Sequence, residues 1–206
     1  NLIADIKANK LNRLLLVTDK QIETLGLHRE LCSQLAVNSI TTVLYRDVEP
    51  NNPINNIEQA LNCYQQSYCQ GFICLGGGSV MDCGKLVAAR TARPDKTTLQ
   101  LRGLFKIRRK LPPIYAIPTT AGTGSETTVA AVAFDPIEKQ KFAVTDLCLC
   151  PKAAVLVPKL TYDLPPQITA HTGMDALTHA IEAYIGVIGT NFTRQKSLDA
   201  CNLIFA

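Results

Sequence analysis

The sequence is short of several things that would mark a specialised class. None of its eight cysteines forms a CxxC pair. Cys63, Cys69, Cys74 and Cys83 are irregularly spaced, and Cys148 and Cys150 stand two apart. That spacing argues against a zinc knuckle or a disulfide framework and for reduced thiols in a cytoplasmic protein. Several of these cysteines lie inside apolar runs, where the thiol behaves as a small hydrophobe. No apolar run reaches the length needed to span a membrane, and Asn1 opens no signal peptide. There is no internal repeat and no low-complexity tract.

Charge is scarce too. The formal net charge is +4 and only 18% of residues are charged, too mild a bias to argue for nucleic acid. The densest basic run, RGLFKIRRK from Arg102 to Lys110, has Phe105 as its one aromatic. It reads as a solvated loop or helix face, with a patch meeting an anionic cofactor as the alternative. Histidine is limited to His28, His171 and His179. What is present is ordinary for a globular chain: 47% hydrophobic residues over 206 positions, enough for a sizeable core. Beginning at Asn1 and stopping in the apolar NLIFA, the chain reads as part of a longer protein.

Two signals alternate through the first half. RLLLVTD (Arg13–Asp19), TTVLYR (Thr41–Arg46), GFICLGGG (Gly71–Gly78) and PIYAIP (Pro113–Pro118) are short apolar runs of the kind that form buried parallel strands. Between them, Gln21–Ala36, Ile54–Tyr68 and Val80–Thr91 carry apolar residues at three-and-four spacing and predict helices. This alternation predicts an α/β fold with an open parallel sheet, whose ligands gather at the carboxyl ends of the strands. Thr127 to Asp146, around DPIEKQK, reads as a hairpin, and KAAVLV (Lys152–Val157) as one more strand. Beyond Pro158 the pattern is helical, which sets expected domains of 1–157 and 158–206.

Unusual residues fall at the expected strand ends. LGGGSVMDCGK, Leu75 to Lys85, lets a backbone approach a ligand closely and aims a helix N-terminus at it, as a pyrophosphate cradle or a tight strand–helix turn. PTTAGTGSET, Pro118 to Thr127, offers hydroxyls to a phosphate or ribose, or bonds to itself as a turn. Asp19 can accept from adenosine ribose hydroxyls and repel a 2′-phosphate, or can cap a helix. In HTGMDALTHAIEAY, Asp175 and His179 stand four apart on one helix face. They form a helix ion pair, or two ligands able to reach one divalent ion at roughly 2.0–2.2 Å.

LGGGSVMDCGK, AIPTTAGTGSETT and TAHTGMDALTHAIEAY, in that order and at those separations, resemble the iron-containing (group III) alcohol dehydrogenase family. The resemblance runs from Val17 through nearly all of the chain. It implies a Rossmann-like N-terminal domain binding NAD, with NADP disfavoured by Asp19. It also implies an all-helical C-terminal domain of dehydroquinate synthase-like architecture, here incomplete. By position it puts the pyrophosphate at Gly77, Gly78 and Ser79, with Asp82 of the same segment among the cofactor residues. Thr119, Thr120 and Thr123 would line the cofactor site, and Lys141 would lie near the nicotinamide. Asn51 matches the asparagine of the family's PNPT segment, read here as PNNP.

Asp175 and His179 match the first two metal ligands, and His171 matches none. The family's two later histidine ligands lie outside these 206 residues. The implied metal is Fe²⁺, with Zn²⁺ as the alternative, since imidazole suits both. The implied activity is NAD-dependent interconversion of a primary alcohol and its aldehyde by a homodimer, with no nucleic-acid or membrane partner. Glycerol dehydrogenases and dehydroquinate synthases are the neighbouring alternatives. A shortened chain that binds nucleotide without catalysis is another.

Overall fold

Leu14, Leu15, Leu16 and Val17 are wholly buried because β1 (Arg13–Val17) lies inside a sheet covered on both faces. The computed structural model describes residues 1–205. After a short N-terminal helix α1 (Leu2–Ala8) come β1, α2 (Lys20–Leu25), α3 (Arg29–Val37), β2 (Thr41–Tyr45) and α4 (Ile54–Gln66). Then follow β3 (Gly71–Gly76), α5 (Gly78–Ala92), β4 (Gly103–Leu104) and β5 (Ile114–Pro118). The hairpin β6 (Ala130–Asp135) and β7 (Gln140–Thr145) precedes β8 (Ala153–Ala154), and α6 (Pro166–Ile185) and α7 (Asn191–Ile204) complete the order.

The main sheet runs β2-β1-β3-β5-β8 with every pairing parallel. Chain order therefore reverses between β1 and β3, and such reversals open a crevice at the carboxyl ends of the strands. A second sheet, β4-β7-β6, joins the antiparallel hairpin to a two-residue parallel edge. This is a Rossmann-like α/β arrangement followed by helices.

Four differences from the sequence reading have local causes. The single helix expected over Gln21–Ala36 is two, because Gly26 takes a left-handed conformation (φ 73°) and caps α2. α1 is not visible as a periodic run, yet it is tied down by Ile6 in the core and by the Tyr115 hydroxyl donating to Asp5 at 2.7 Å. KAAVLV keeps only two strand residues, since β8 pairs only through Ala153 and Ala154. Within the basic run, Gly103 and Leu104 form the β4 edge, and the amides of Ile107 and Arg108 donate to Asp146 at 3.1 and 2.9 Å. Burial works to raise that carboxyl, and the amides of Arg108, Cys148 and Ile107 outweigh it and hold it below the usual range.

The described residues divide into two compact units. One comprises Asn1–Thr119 with Ser125–Val157, and the other Thr120–Gly124 with the segment from Pro158 onward. The first holds a continuous core in which Phe72 stacks on Tyr64 at 4.5 Å between ring centroids. In the second, α6 begins at Pro166, where proline suits a first turn, and α7 begins with a Thr190–Thr193 capping box. All eight cysteines are free. No described helix is long and apolar enough to cross a membrane.

Candidate cofactor and metal site

Three loops leave the carboxyl edge of the main sheet side by side, and hydrogen bonds tie them together. Thr18, fully buried after β1, donates its hydroxyl to the Leu75 carbonyl of β3 at 2.8 Å. The Thr119 amide after β5 donates to the Gly76 carbonyl at 3.0 Å. Asp19, Gly77, Gly78, Ser79 and Thr119 thus come from adjoining strand ends around the β1/β3 reversal.

Asp19 caps α2, accepting from the Ile22 amide at 2.8 Å through one carboxylate oxygen. The capping role offered by the sequence is therefore real. It engages Oδ1, and Asp19 stays half-buried.

The glycine loop begins where a side chain has no room. A Cβ at Gly76 would stand 2.5 Å from Cγ2 of Val80. Gly77 then caps α5 with no side chain folded over the helix end. The opening amides of a helix lack intrahelical acceptors, and the helix dipole gives that end partial positive charge. An anionic group with several acceptor oxygens, such as a pyrophosphate, fits that chemistry.

One face of α5 grips the far end of the threonine-rich loop. Asp82 accepts from the Ser125 hydroxyl at 2.7 Å and from the Val132 amide at 3.0 Å. Lys85, three residues on, is fully buried and donates to the carbonyls of Ser125 (2.6 Å), Thr128 (2.9 Å) and Ala130 (3.0 Å). It also reaches the Thr128 hydroxyl at 2.8 Å. Burial pushes the Lys85 ammonium below the usual lysine range, against the opposing pull of Asp82. Burial likewise raises the Asp82 carboxyl, opposed by Ser125, Val132 and Lys85.

The remaining expected cofactor residues are more dispersed. Thr120 and Thr123 lie in the stretch Thr120–Gly124, which packs with the helical unit. There a Cβ at Gly122 would stand 2.7 Å from the Thr172 carbonyl of α6. Asn51 is exposed with φ 66°. Its neighbour Asn52 is buried, holds the hairpin through the Phe134 amide at 2.9 Å, and keeps its side-chain oxygen without a protein partner. Lys141 is exposed on β7 and alternates with the inward Phe142.

On α6, Asp175 Oδ1 and His179 Nε2 stand 3.9 Å apart, both at least partly solvent-accessible. That spacing is a weak exposed ion pair if the histidine is protonated. It also lets two ligand bonds of about 2.0–2.2 Å converge on one ion. The donor chemistry, one carboxylate and one imidazole, suits a divalent transition metal. Among the described residues no group of three or more metal-binding side chains is gathered, so the pair fits such an ion only as part of a ligand set.

The sequence did not point to Thr18 or Lys85, and it offered Ser125 as one of the loop's hydroxyl donors to a ligand, whereas that hydroxyl donates to Asp82. Thr18 sits in VTD beside Asp19, whose carboxylate is the more conspicuous group. Lys85 had a readable signal, since DCGK places an acid and a base three apart on one helix face. Nothing in the sequence indicated that both would be turned inward onto a loop forty residues away.

Comparison with known proteins bears on the same regions. A family model described as iron-containing alcohol dehydrogenase matches residues 1–158. A second, described as the C-terminal part of the Fe-containing alcohol dehydrogenase family, matches 169–206. Alcohol dehydrogenase 4 of Schizosaccharomyces pombe is 37% identical over 95% of this chain and 45% of its own length. The NAD-dependent methanol dehydrogenase of Bacillus methanolicus is 32% identical over 93% of this chain and 50% of its own. The solved alcohol dehydrogenase from Oenococcus oeni superposes with a TM-score of 0.93 at 33% identity, covering 98% of this chain and 53% of that one. The chain thus spans about half the length of the relatives it matches.

Proposed function

The chain belongs to the iron-containing alcohol dehydrogenase family, and from that premise we propose that it supplies the nucleotide site and the first two metal donors of an enzyme interconverting a primary alcohol and its aldehyde with NAD. The observation that carries this reading is the knot of Thr18, Gly76 and Thr119, which draws three strand-end loops together beside the open N-terminus of α5.

Each residue then has a physical task. The amides of Gly77, Gly78 and Ser79 bind the pyrophosphate, which the absence of a capping side chain leaves accessible. Asp19 keeps one oxygen on the Ile22 amide and turns the other to the adenosine ribose, where a 2′-phosphate would meet like charge. Thr119, Thr120 and Thr123 donate hydroxyls along the cofactor, Asn51 contributes from the turn before α4, and Lys141 lies toward the nicotinamide. Asp175 and His179 hold the metal, with iron first and zinc as the alternative. When bound, the nucleotide supplies hydride transfer and the metal supplies Lewis-acid polarisation of an alcohol or aldehyde oxygen. The methanol dehydrogenase relative is named for NAD dependence, which supports the choice of nucleotide.

The test is a pair of variants in the full-length protein. Asp19→Gly is expected to relax discrimination against NADP, and unchanged NAD:NADP selectivity would remove the role given to Asp19. His179→Ala is expected to abolish metal retention and leave NAD affinity largely intact; metal content surviving that change would refute the ligand assignment.

A further inference from the structure

Lys85 donates to three carbonyls and a hydroxyl beside the expected cofactor residues, yet it faces away from solvent entirely. An ammonium sealed from water is costly unless acceptors surround it, and a charge of this kind is seldom kept for packing alone. Here the acceptors are all local to one segment: the carbonyls of Ser125, Thr128 and Ala130 and the Thr128 hydroxyl. Ser125 opens a short 3₁₀ turn (Ser125–Thr127), Thr128 lies in the loop after it and Ala130 is the first residue of β6, so no carbonyl comes from an α-helix or a strand interior. The lysine thus gathers three carbonyls onto one donor, adding to the bonds that Ser125 accepts from the Thr128 amide at 3.3 Å and Ala130 from the Thr128 hydroxyl at 3.2 Å.

Asp82 completes the grip from the same helix face. It takes the Ser125 hydroxyl and the Val132 amide, so the acid and the base together hold Ser125 to Val132 by side chain and by backbone. The helix that presents them is fixed in depth. A Cβ on Gly84, between the two, would collide with the Cys74 sulfur of β3, so α5 sits directly on the sheet. The opposite end of the threonine-rich loop is held by the Thr119–Gly76 bond. Both ends of the loop are therefore anchored to the strand–helix unit that carries the glycine loop.

We propose that Lys85 and Asp82 are positioning residues, which lock the Ser125–Val132 segment and so hold the threonine-rich loop in the shape that receives the nucleotide. The inference deepens the proposed NAD-binding role and depends on it for the ligand, though not for the lock itself. Neither residue touches the cofactor in this scheme; Asp82, expected from sequence among the cofactor residues, acts through Ser125.

The test uses the full-length protein and three variants: Lys85→Met, Asp82→Asn and Ser125→Ala. Two quantities are measured, NADH affinity by fluorescence and hydrogen exchange of residues 119–131 against residues 71–76 of β3. Lys85→Met is expected to weaken NADH binding about tenfold or more, the scale of losing hydrogen bonds to a charged group. It should also speed exchange in 119–131 while β3 stays protected. Ser125→Ala, which removes one hydroxyl and leaves the fold secure, should do the same to a smaller degree. Protection of 119–131 unchanged in Ser125→Ala and in any folded Lys85 or Asp82 variant would overturn the lock. Faster loop exchange with NADH affinity unaltered would overturn its link to the nucleotide. If the unmodified protein fails to bind NADH, the functional reading falls while loop exchange still decides the lock.

Discussion

The strand–helix unit and the helix pair are built from the same kinds of residue and reach opposite outcomes. In the first, Phe72, Ile73, Cys74 and Leu75 are sealed on both faces of the sheet, and most of α5 is buried with them. In α6 and α7 only Ala180 and Ser197 are buried, while Met174, Ile181, Ile185, Phe192 and Leu203 stay exposed. A sheet with helices on it closes a core from local sequence, because each strand is covered by the helix that follows it. Within these 206 residues, about half the length of the relatives, two helices offer each other one stripe apiece and leave the rest uncovered. Most of the residues proposed for the nucleotide lie in the closed unit, Thr120 and Thr123 fall in the other, and the proposed metal donors are on α6.

Stability measurements can break this contrast. Phe72→Ala removes a ring stacked on Tyr64 in the closed core and is expected to cost about 3–5 kcal/mol in chemical denaturation. A loss below about 1 kcal/mol would mean that the unit is not closed as described.

Asp146 is expected to rank second. Its carboxylate gathers the amides of Ile107, Arg108 and Cys148, and Asp146→Ala should cost about 1–2 kcal/mol. Its folded-state pKa lies below the unfolded value. That contribution is therefore present above the usual carboxylate range and is lost as pH falls through the folded-state value. Denaturation between pH 7 and pH 3 should show a shallower decline in Asp146→Ala than in the parent. Parallel declines would contradict the assignment.

The smallest effect belongs to the open helices. Leu203→Ala, at 77% exposure, should change stability by less than about 0.5 kcal/mol. A cost of several times that value would show that α7 is covered in solution.

How legible each region was follows from the same difference. The strands over Leu14–Val17, Gly71–Gly76 and Ile114–Pro118 were readable because complete burial demands uninterrupted apolar runs. The turn at Gly26 was not, because its flanks keep helical spacing and only a left-handed φ divides them. The glycine loop and Asp19 were visible as unusual residues at strand ends. Their connection through Thr18 and Thr119 was not, since those bonds join residues 57 and 43 positions apart in sequence. The α6 pair was read from spacing as either an ion pair or half a ligand set. At 3.9 Å its geometry serves both, because the remaining donors of such a set are not among the described residues.

The proposed nucleotide site is expected to form without help from the proposed metal donors. A fluorescence titration of the 206-residue chain with NADH, repeated on His179→Ala, tests it most directly. Saturable binding is expected, tighter than for NADPH and the same in both proteins. No binding by the chain, or binding that disappears with His179, would contradict it.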